Sequence, residues 1–178
     1  GVQTCALPIS HGERLPTFDF QCPLMELPRI FETTLDTIPN ETPYLQAEGT
    51  RTTGKCPRVG MAWKGPERTL NNRSVELQYW TGLIECPGVE WWSLQPEGTA
   101  ALGNLEWGNR VRDETEEIGD FADTAALMMD LDLVVTVDTS VAHLAAALGR
   151  PTWVLLAQGS DWRWLRECED SPWYPTLR

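Results

Sequence analysis

The pattern of apolar and polar positions changes near residue 58. Before it, His11–Lys55 is broken by Pro16, Pro23, Pro28, Pro39 and Pro43, with Thr and Glu frequent between them. Proline removes a backbone donor and clashes inside a helix, so long helices are not expected there. A short helix over Leu27–Leu35 is the regular element this stretch predicts. Beyond it, short apolar runs alternate with helical spacings. Arg58–Trp63 (RVGMAW) reads as a strand. Val75–Cys86 places Leu77, Trp80 and Ile84 at helical spacing, with Asn72 or Ser74 as N-cap and Pro87-Gly88 as the stop. Val89–Leu94 (VEWWSL) is a second strand. Gln95–Gly119, with several glycines and many charges, predicts loops with a short strand or helix. Phe121–Leu131 is helical, with Asp120 and Asp123 suited to its first turn. Asp132–Val137 (DLVVTV) is almost wholly apolar at its centre, as a strand buried on both faces is. Ser140–Leu148 is a helix closed by Gly149 and Pro151. Thr152–Ala157 is a fourth strand, and Trp162–Arg166 a short helix.

Strand and helix therefore alternate, which predicts an α/β fold: a Rossmann-like parallel sheet with helices on both faces. In such sheets ligands bind beyond the carboxyl ends of the strands. That directs attention to Trp63–Arg73, Leu94–Gly98, Val137–His143 and Ala157–Arg163. Trp80 and Trp153 are expected in the core.

Composition narrows the partners. The 178 residues are 42% hydrophobic, enough for one domain with a real core. The longest apolar runs are too short to span a bilayer. A net charge of -12 repels phosphate backbones, so nucleic acid is not an expected partner. Five cysteines (Cys5, Cys22, Cys56, Cys86, Cys168) are scattered, with no C-x-x-C pair. This argues against a zinc site or disulfide framework and for a reducing, cytoplasmic setting. Gly1–Ser10 (GVQTCALPIS) lacks the features of a signal peptide and resembles a translated sequencing adapter. It is set aside.

The richest chemistry is in VDTSVAH, Val137–His143, which leaves a buried strand and opens a helix. The first helical N–H groups lack intrahelical partners and carry the positive end of the dipole, an anion site in waiting. Ser140 and His143 share a helix face. An ordinary capped helix with a satisfied histidine is the simpler alternative. Lys64 and Arg73, after the first strand, stand where cations can hold a diphosphate, Arg73 being the stronger candidate. Gln95 after the second strand is placed for a ribose or base edge, and a polar loop is its plainer reading. Arg163 in DWRW can meet an anion, and Trp162 or Trp164 can cover a ring. Asp130-Leu131-Asp132 matches the D-x-D pattern of metal-dependent sugar transferases. It precedes its strand, at the end away from the ligand side, and is rejected. No metal and no cofactor is expected.

Several of these stretches carry a resemblance. RVGMAWKG, NNRSVEL, SLQ, DFADTAALMMDLDLVVTVDTSVAHLAAALGRPTWVLL, DWRW and SPWYPTLR resemble the C-terminal lobe of bacterial glycosyltransferases attached to tetratricopeptide repeats. Those enzymes are related to heptosyltransferases and, more distantly, to O-linked N-acetylglucosamine transferases. Gln21–Leu45 resembles the tail of the same family's N-terminal lobe. The resemblance implies a GT-B fold of two Rossmann-like lobes and metal-independent transfer. It puts Asp138, Thr139, Ser140 and His143 on the donor-binding motif and Arg73 near the phosphates. It implies a catalytic base from the other lobe, so no catalytic residue is assigned. The expected organisation is residues 1–10 artefact, 11–55 connector and lobe tail, and 56–178 a nucleotide-sugar-binding lobe. The expected partners are a nucleoside diphosphate sugar and a protein or glycan acceptor, and the fragment is expected to be inactive alone. A nucleotide-sugar epimerase or hydrolase, or a degenerate scaffold for interactions, are the rival readings.

Overall fold

The computed structural model describes residues 12, 14–49, 54–65, 72–96, 98–166 and 168–178. The adapter-like start, Pro66 and Glu97 lie outside the described residues. The chain divides into two compact units, one ending at Thr37, the other Ile38–Arg178. In the first, the predicted helix is a single turn, α1 (Leu27–Ile30), preceded by a 3-10 turn at Leu24–Glu26. Pro28 fits its first turn, and Glu32 at φ 51 ends any continuation.

The second unit is a five-stranded, wholly parallel sheet in the order β3-β2-β1-β4-β5. The strands are β1 (Arg58–Ala62), β2 (Glu90–Ser93), β3 (Val111–Arg112), β4 (Leu133–Val137) and β5 (Thr152–Leu155). The helices are α2 (Thr81–Ile84), α3 (Thr99–Leu102), α4 (Phe121–Met129) and α5 (Ser140–Ala147). The expected α/β class is what forms. β4 lies between β1 and β5, and its residues Val134–Val137 are all buried, which accounts for its unbroken apolar run.

Side chains alternate across the sheet, and two cores result. On one face Val59, Met61, Trp91 and Val135 pack with Trp80, Ile84, Leu102 and Trp107. On the other Ala62, Trp92 and Val134 pack with Ala125 and Met128 of α4 and Val141 and Ala145 of α5. Small residues on α5 let it lie close to the sheet. It ends at Gly149, whose φ of +70 is the left-handed conformation that a helix terminator needs.

Three expectations need correction. Val75–Cys86 is not one helix: Glu76 is extended, Leu77–Trp80 is a 3-10 turn, and only Thr81–Ile84 is α-helical. Neither Asn72 nor Ser74 caps it, because both side chains are spent inside the preceding loop. Trp153 is not core: it pairs in register with Val135 on the outer strand, where the layer over that face thins out, and is 50% exposed. The last stretch was also tighter than expected, a 3-10 turn at Trp162–Trp164.

The outer edge of β5 is covered by the chain's own last residues. Thr152 N–H donates to Thr176 C=O (3.0 Å), Arg178 N–H to Thr152 C=O (2.8 Å) and Val154 N–H to Arg178 C=O (2.8 Å). This satisfies an otherwise open sheet edge. Among the described residues no helix is long and apolar enough to cross a membrane.

Candidate functional site

The strand order reverses between β1 and β4: the chain moves to β2 on one side and from β4 to β5 on the other. The loops leaving two such strands diverge and open a crevice at their carboxyl ends. The sheet's geometry therefore picks out Trp63–Gly65 and Val137–Ser140.

The first loop folds back on itself. Val75 N–H donates to Trp63 C=O (2.9 Å), Gly65 N–H to Ser74 Oγ (3.1 Å) and Ser74 N–H to Asn72 Oδ1 (3.0 Å). These bonds set Arg73 against Gly65, where a Cβ would come within 3.1 Å of the arginine's own Cβ. A side chain at Gly65 would push Arg73 away from the crevice.

Arg73 then reaches across it. Nη1 lies 3.0 Å from Asp138 Oδ2 and 3.4 Å from the Asp138 carbonyl oxygen. The Asp138 side chain is 5% exposed, that of Arg73 34%. The carboxylate is thus bound from the inside, and the cation keeps an open flank. Asp138 does not face the crevice as a lone anion; it anchors the arginine.

α5 starts at the same point. Its N-cap Thr139 is extended, but its hydroxyl turns back to Val137 C=O (3.3 Å) and caps nothing. The helix opens without a side-chain cap, with Ser140 exposed beside it. One turn on, His143 is half-buried. Its Nδ1 lies 3.1 Å from the Tyr174 hydroxyl, and its ring stacks on Trp164 at 5.4 Å and 20°. Burial pushes the His143 pKa down, Arg163 and Arg73 push the same way, and Asp138 and Asp161 oppose them. The resting imidazole is therefore held toward neutrality beside two cations.

Arg163 sits in the 3-10 turn after β5, with Nε 3.3 Å from Asp161 Oδ1 and its guanidinium 5.9 Å from the Trp162 ring centre. Trp173 braces that turn, donating from Nε1 to Arg163 C=O (3.1 Å) and meeting Trp162 edge-on at 6.0 Å. Trp162 is 63% exposed.

Gln95 crosses from β2 to the first loop, its Oε1 accepting from Lys64 N–H (2.9 Å). Its side chain ties two loops together. The Lys64 side chain is exposed. Beyond Gln95 a cavity of about 420 Å³ is lined by Pro96, Thr99, Ala100, Thr115 and Glu116. Burial works to raise the Asp113 pKa there, but hydrogen bonds from Thr115, Thr99 and Ser93 outweigh it and hold it below the usual carboxylate value.

The D-x-D aspartates lie at the opposite end of β4, where Asp132 Oδ2 accepts from Arg58 N–H (2.8 Å) at the start of β1. Among the described residues no three His, Cys, Asp or Glu side chains are grouped to hold a metal. Cys22, Cys56, Cys86 and Cys168 are unpaired thiols.

The structure thus gathers Arg73, Asp138, Thr139, Ser140, His143 and Arg163 around one crevice, with Gln95 and Lys64 on its β2 side. Sequence reasoning overlooked Tyr174. SPWYPTLR marked the stretch as distinctive, but nothing in it says that Tyr174 lies beneath α5.

Residues 119–165 match the model of glycosyltransferase family 9 (heptosyltransferase). That segment holds α4, β4, α5 and β5, so the match spans half of the crevice and includes Asp138, His143 and Arg163. The chain is also similar to protein FlbA of Caulobacter vibrioides, 28% identical over 185 residues. The similarity covers 93% of this chain and 30% of the relative, so the chain spans less than a third of that protein's length. No solved structure matches.

Proposed function

We propose that this chain is the donor lobe of a metal-independent glycosyltransferase and binds a nucleoside diphosphate sugar at the β1–β4 crevice. The observation that carries the reading is the Arg73–Asp138 bridge across the crevice, beside the uncapped end of α5. A guanidinium fixed from behind by a buried carboxylate is a preorganised phosphate ligand. The open helix N–H groups add donors, and His143 and Arg163 add a third and fourth contact. The nucleoside falls toward Gln95 and the cavity beyond it.

In the reaction, an acceptor hydroxyl or amide attacks the anomeric carbon, and the bond from that carbon to the diphosphate oxygen breaks. Negative charge grows on the leaving diphosphate, and this site stabilises it without a metal. The acceptor proton goes to a base on a facing N-terminal lobe. Residues 11–55 would be that lobe's tail and connector, and tetratricopeptide repeats would precede it in the whole protein. The chain alone then binds donor without turning it over.

A thermal-shift panel of nucleoside diphosphates and nucleosides tests the reading. A matched diphosphate at 100 times its Kd should stabilise the chain by about 2.7 kcal/mol. Arg73→Gln should weaken the diphosphate about tenfold and the nucleoside little. Equal loss for both ligands would assign Arg73 to folding, and no response to any nucleotide would favour a scaffold.

A further inference from the structure

We propose that Trp162 is the platform against which the sugar ring of the donor lies, with Asp161 and Arg163 taking its hydroxyls. This rests on the reading of the crevice as a diphosphate site and adds a subsite for a pyranose ring beyond it.

Exposure by itself is ordinary for a surface aromatic. Of the nine tryptophans, Trp153 and Trp162 are exposed, and Trp162 is the one that lies past the carboxyl end of a strand, β5. Its backbone is fixed from both sides. Asp161 Oδ1 accepts from Arg163 N–H (3.2 Å), and Leu165 N–H donates to Trp162 C=O (3.1 Å). Trp164 is buried, its ring stacked on His143 at 5.4 Å. The Trp162 ring meets Trp173 edge-on at 6.0 Å, and Trp173 is held in turn through Nε1 to Arg163 C=O (3.1 Å). The Arg163 guanidinium stands 5.9 Å from the Trp162 ring centre. With both neighbours in place Trp162 is still 63% exposed, so the indole is braced and most of it stays open to a ligand.

A pyranose matches this turn chemically. Its axial C–H bonds make a weakly positive apolar face, which the negative face of an indole attracts. Its hydroxyls point outward from the ring and need acceptors and donors beside that face. A carboxylate and a guanidinium stand there. Asp161 spends Oδ1 on the N–H and Nε of Arg163 (3.2 and 3.3 Å), and Oδ2 makes no bond among the described residues.

Sheet order makes the ring the donor's sugar. Across β3-β2-β1-β4-β5 the proposed donor has its nucleoside toward β2 and its diphosphate at β1 and β4. The sugar is bonded to the end of the diphosphate away from the nucleoside. The next strand in that direction is β5, about 4.8 Å farther on. The turn after β5 meets α5 there, because Trp164 lies on His143.

Calorimetric titration of the 178-residue chain tests this with the diphosphates of uridine, guanosine and adenosine, each free and joined to glucose. For the base that binds, Trp162→Ala should weaken the glucose-linked diphosphate about tenfold and the free diphosphate less than about twofold, and Trp162→Phe should keep most of the affinity. In saturation-transfer NMR the glucose ring protons should take up saturation from wild type and lose most of it in Trp162→Ala. Unchanged affinity of Trp162→Ala for the glucose-linked ligand would overturn the platform and leave the crevice reading standing. Equal weakening of both ligands would also overturn it, assigning Trp162 to the support of Arg163. If Trp162→Ala does not fold, the other two proteins decide. Glucose protons left unsaturated by wild type then overturn the proposal, and saturated ones with affinity kept in Trp162→Phe support it. If none of these ligands binds wild type, the crevice reading fails and the platform with it.

Discussion

α4 and α5 pack side by side on one face of the same sheet, yet their N-termini are finished differently. At α4, Asp120 accepts from Ala122 N–H (2.7 Å) and Asp123 N–H (3.1 Å), and Asp123 reaches back to Gly119 N–H (2.9 Å) and Asp120 N–H (3.3 Å). That is a closed capping box, worth about 1 kcal/mol, in which the chain's own carboxylates satisfy the free donors. At α5, the Thr139 hydroxyl points back along the strand and the donors are left to the crevice. The first end is finished for stability, and a 3-10 turn and a loop separate it from β3. The second is left open where Arg73, His143 and Arg163 converge. A helix end becomes a site by what its cap declines to do and by whether it follows directly on a buried strand.

This contrast can be broken from the α5 side first. Thr139→Asp would bring a carboxylate to the open donors, as at α4. It should weaken diphosphate binding by about 2 kcal/mol, roughly 30-fold, while leaving the fold as stable or slightly more so. Titration calorimetry with a nucleoside diphosphate decides it, and retained affinity would show that the helix end does not meet the ligand.

His143→Ala should follow, with affinity reduced about tenfold and a smaller change in melting temperature. Unchanged affinity with a large fall in Tm would make His143 a packing residue against Trp164.

Asp120→Ala sharpens the contrast from the other side. It should cost about 1 kcal/mol of stability in denaturant unfolding and leave diphosphate affinity unaltered. A matched loss of affinity would mean that the two ends are coupled through the helix pair.

The smallest effect is on pH dependence. His143 is shifted down in the folded state, so the unfolded chain takes up the proton first as pH falls. Its contribution to stability is complete above the ordinary histidine pKa of about 6.5 and is lost as pH drops through that value. His143→Gln should flatten this part of a Tm-against-pH curve. A diphosphate should oppose the trend, because an anion favours the charged ring, so its affinity in wild type should rise as pH falls.

The parallel α/β architecture was legible because its signals are local. The apolar run of β4, the Asp120–Asp123 spacing and Gly149 after α5 each act through neighbours in sequence. The motif Val137–His143 was legible for the same reason, since strand, turn and helix start are contiguous. Val75–Cys86 misled because helical spacing alone ignores competition. Val75 N–H found Trp63 C=O, and the side chains of Asn72 and Ser74 were consumed by the loop before they could cap anything. Trp153 misled because an aromatic residue in a strand is buried only if something covers that face of that strand.

By itself, then, the sequence determined the kind of sheet and the place where a buried strand hands over to a helix, because period and capping are decided within a few residues. The tertiary structure alone decided the partners. Arg73 and Asp138 are 65 positions apart and His143 and Tyr174 are 31. No local preference encodes such pairs; they exist because strand order places β1 beside β4 and because the last residues add to the edge of β5. That is why the residue types of the site could be read along the chain, while the arginine's buried anchor and the histidine's tyrosine could not.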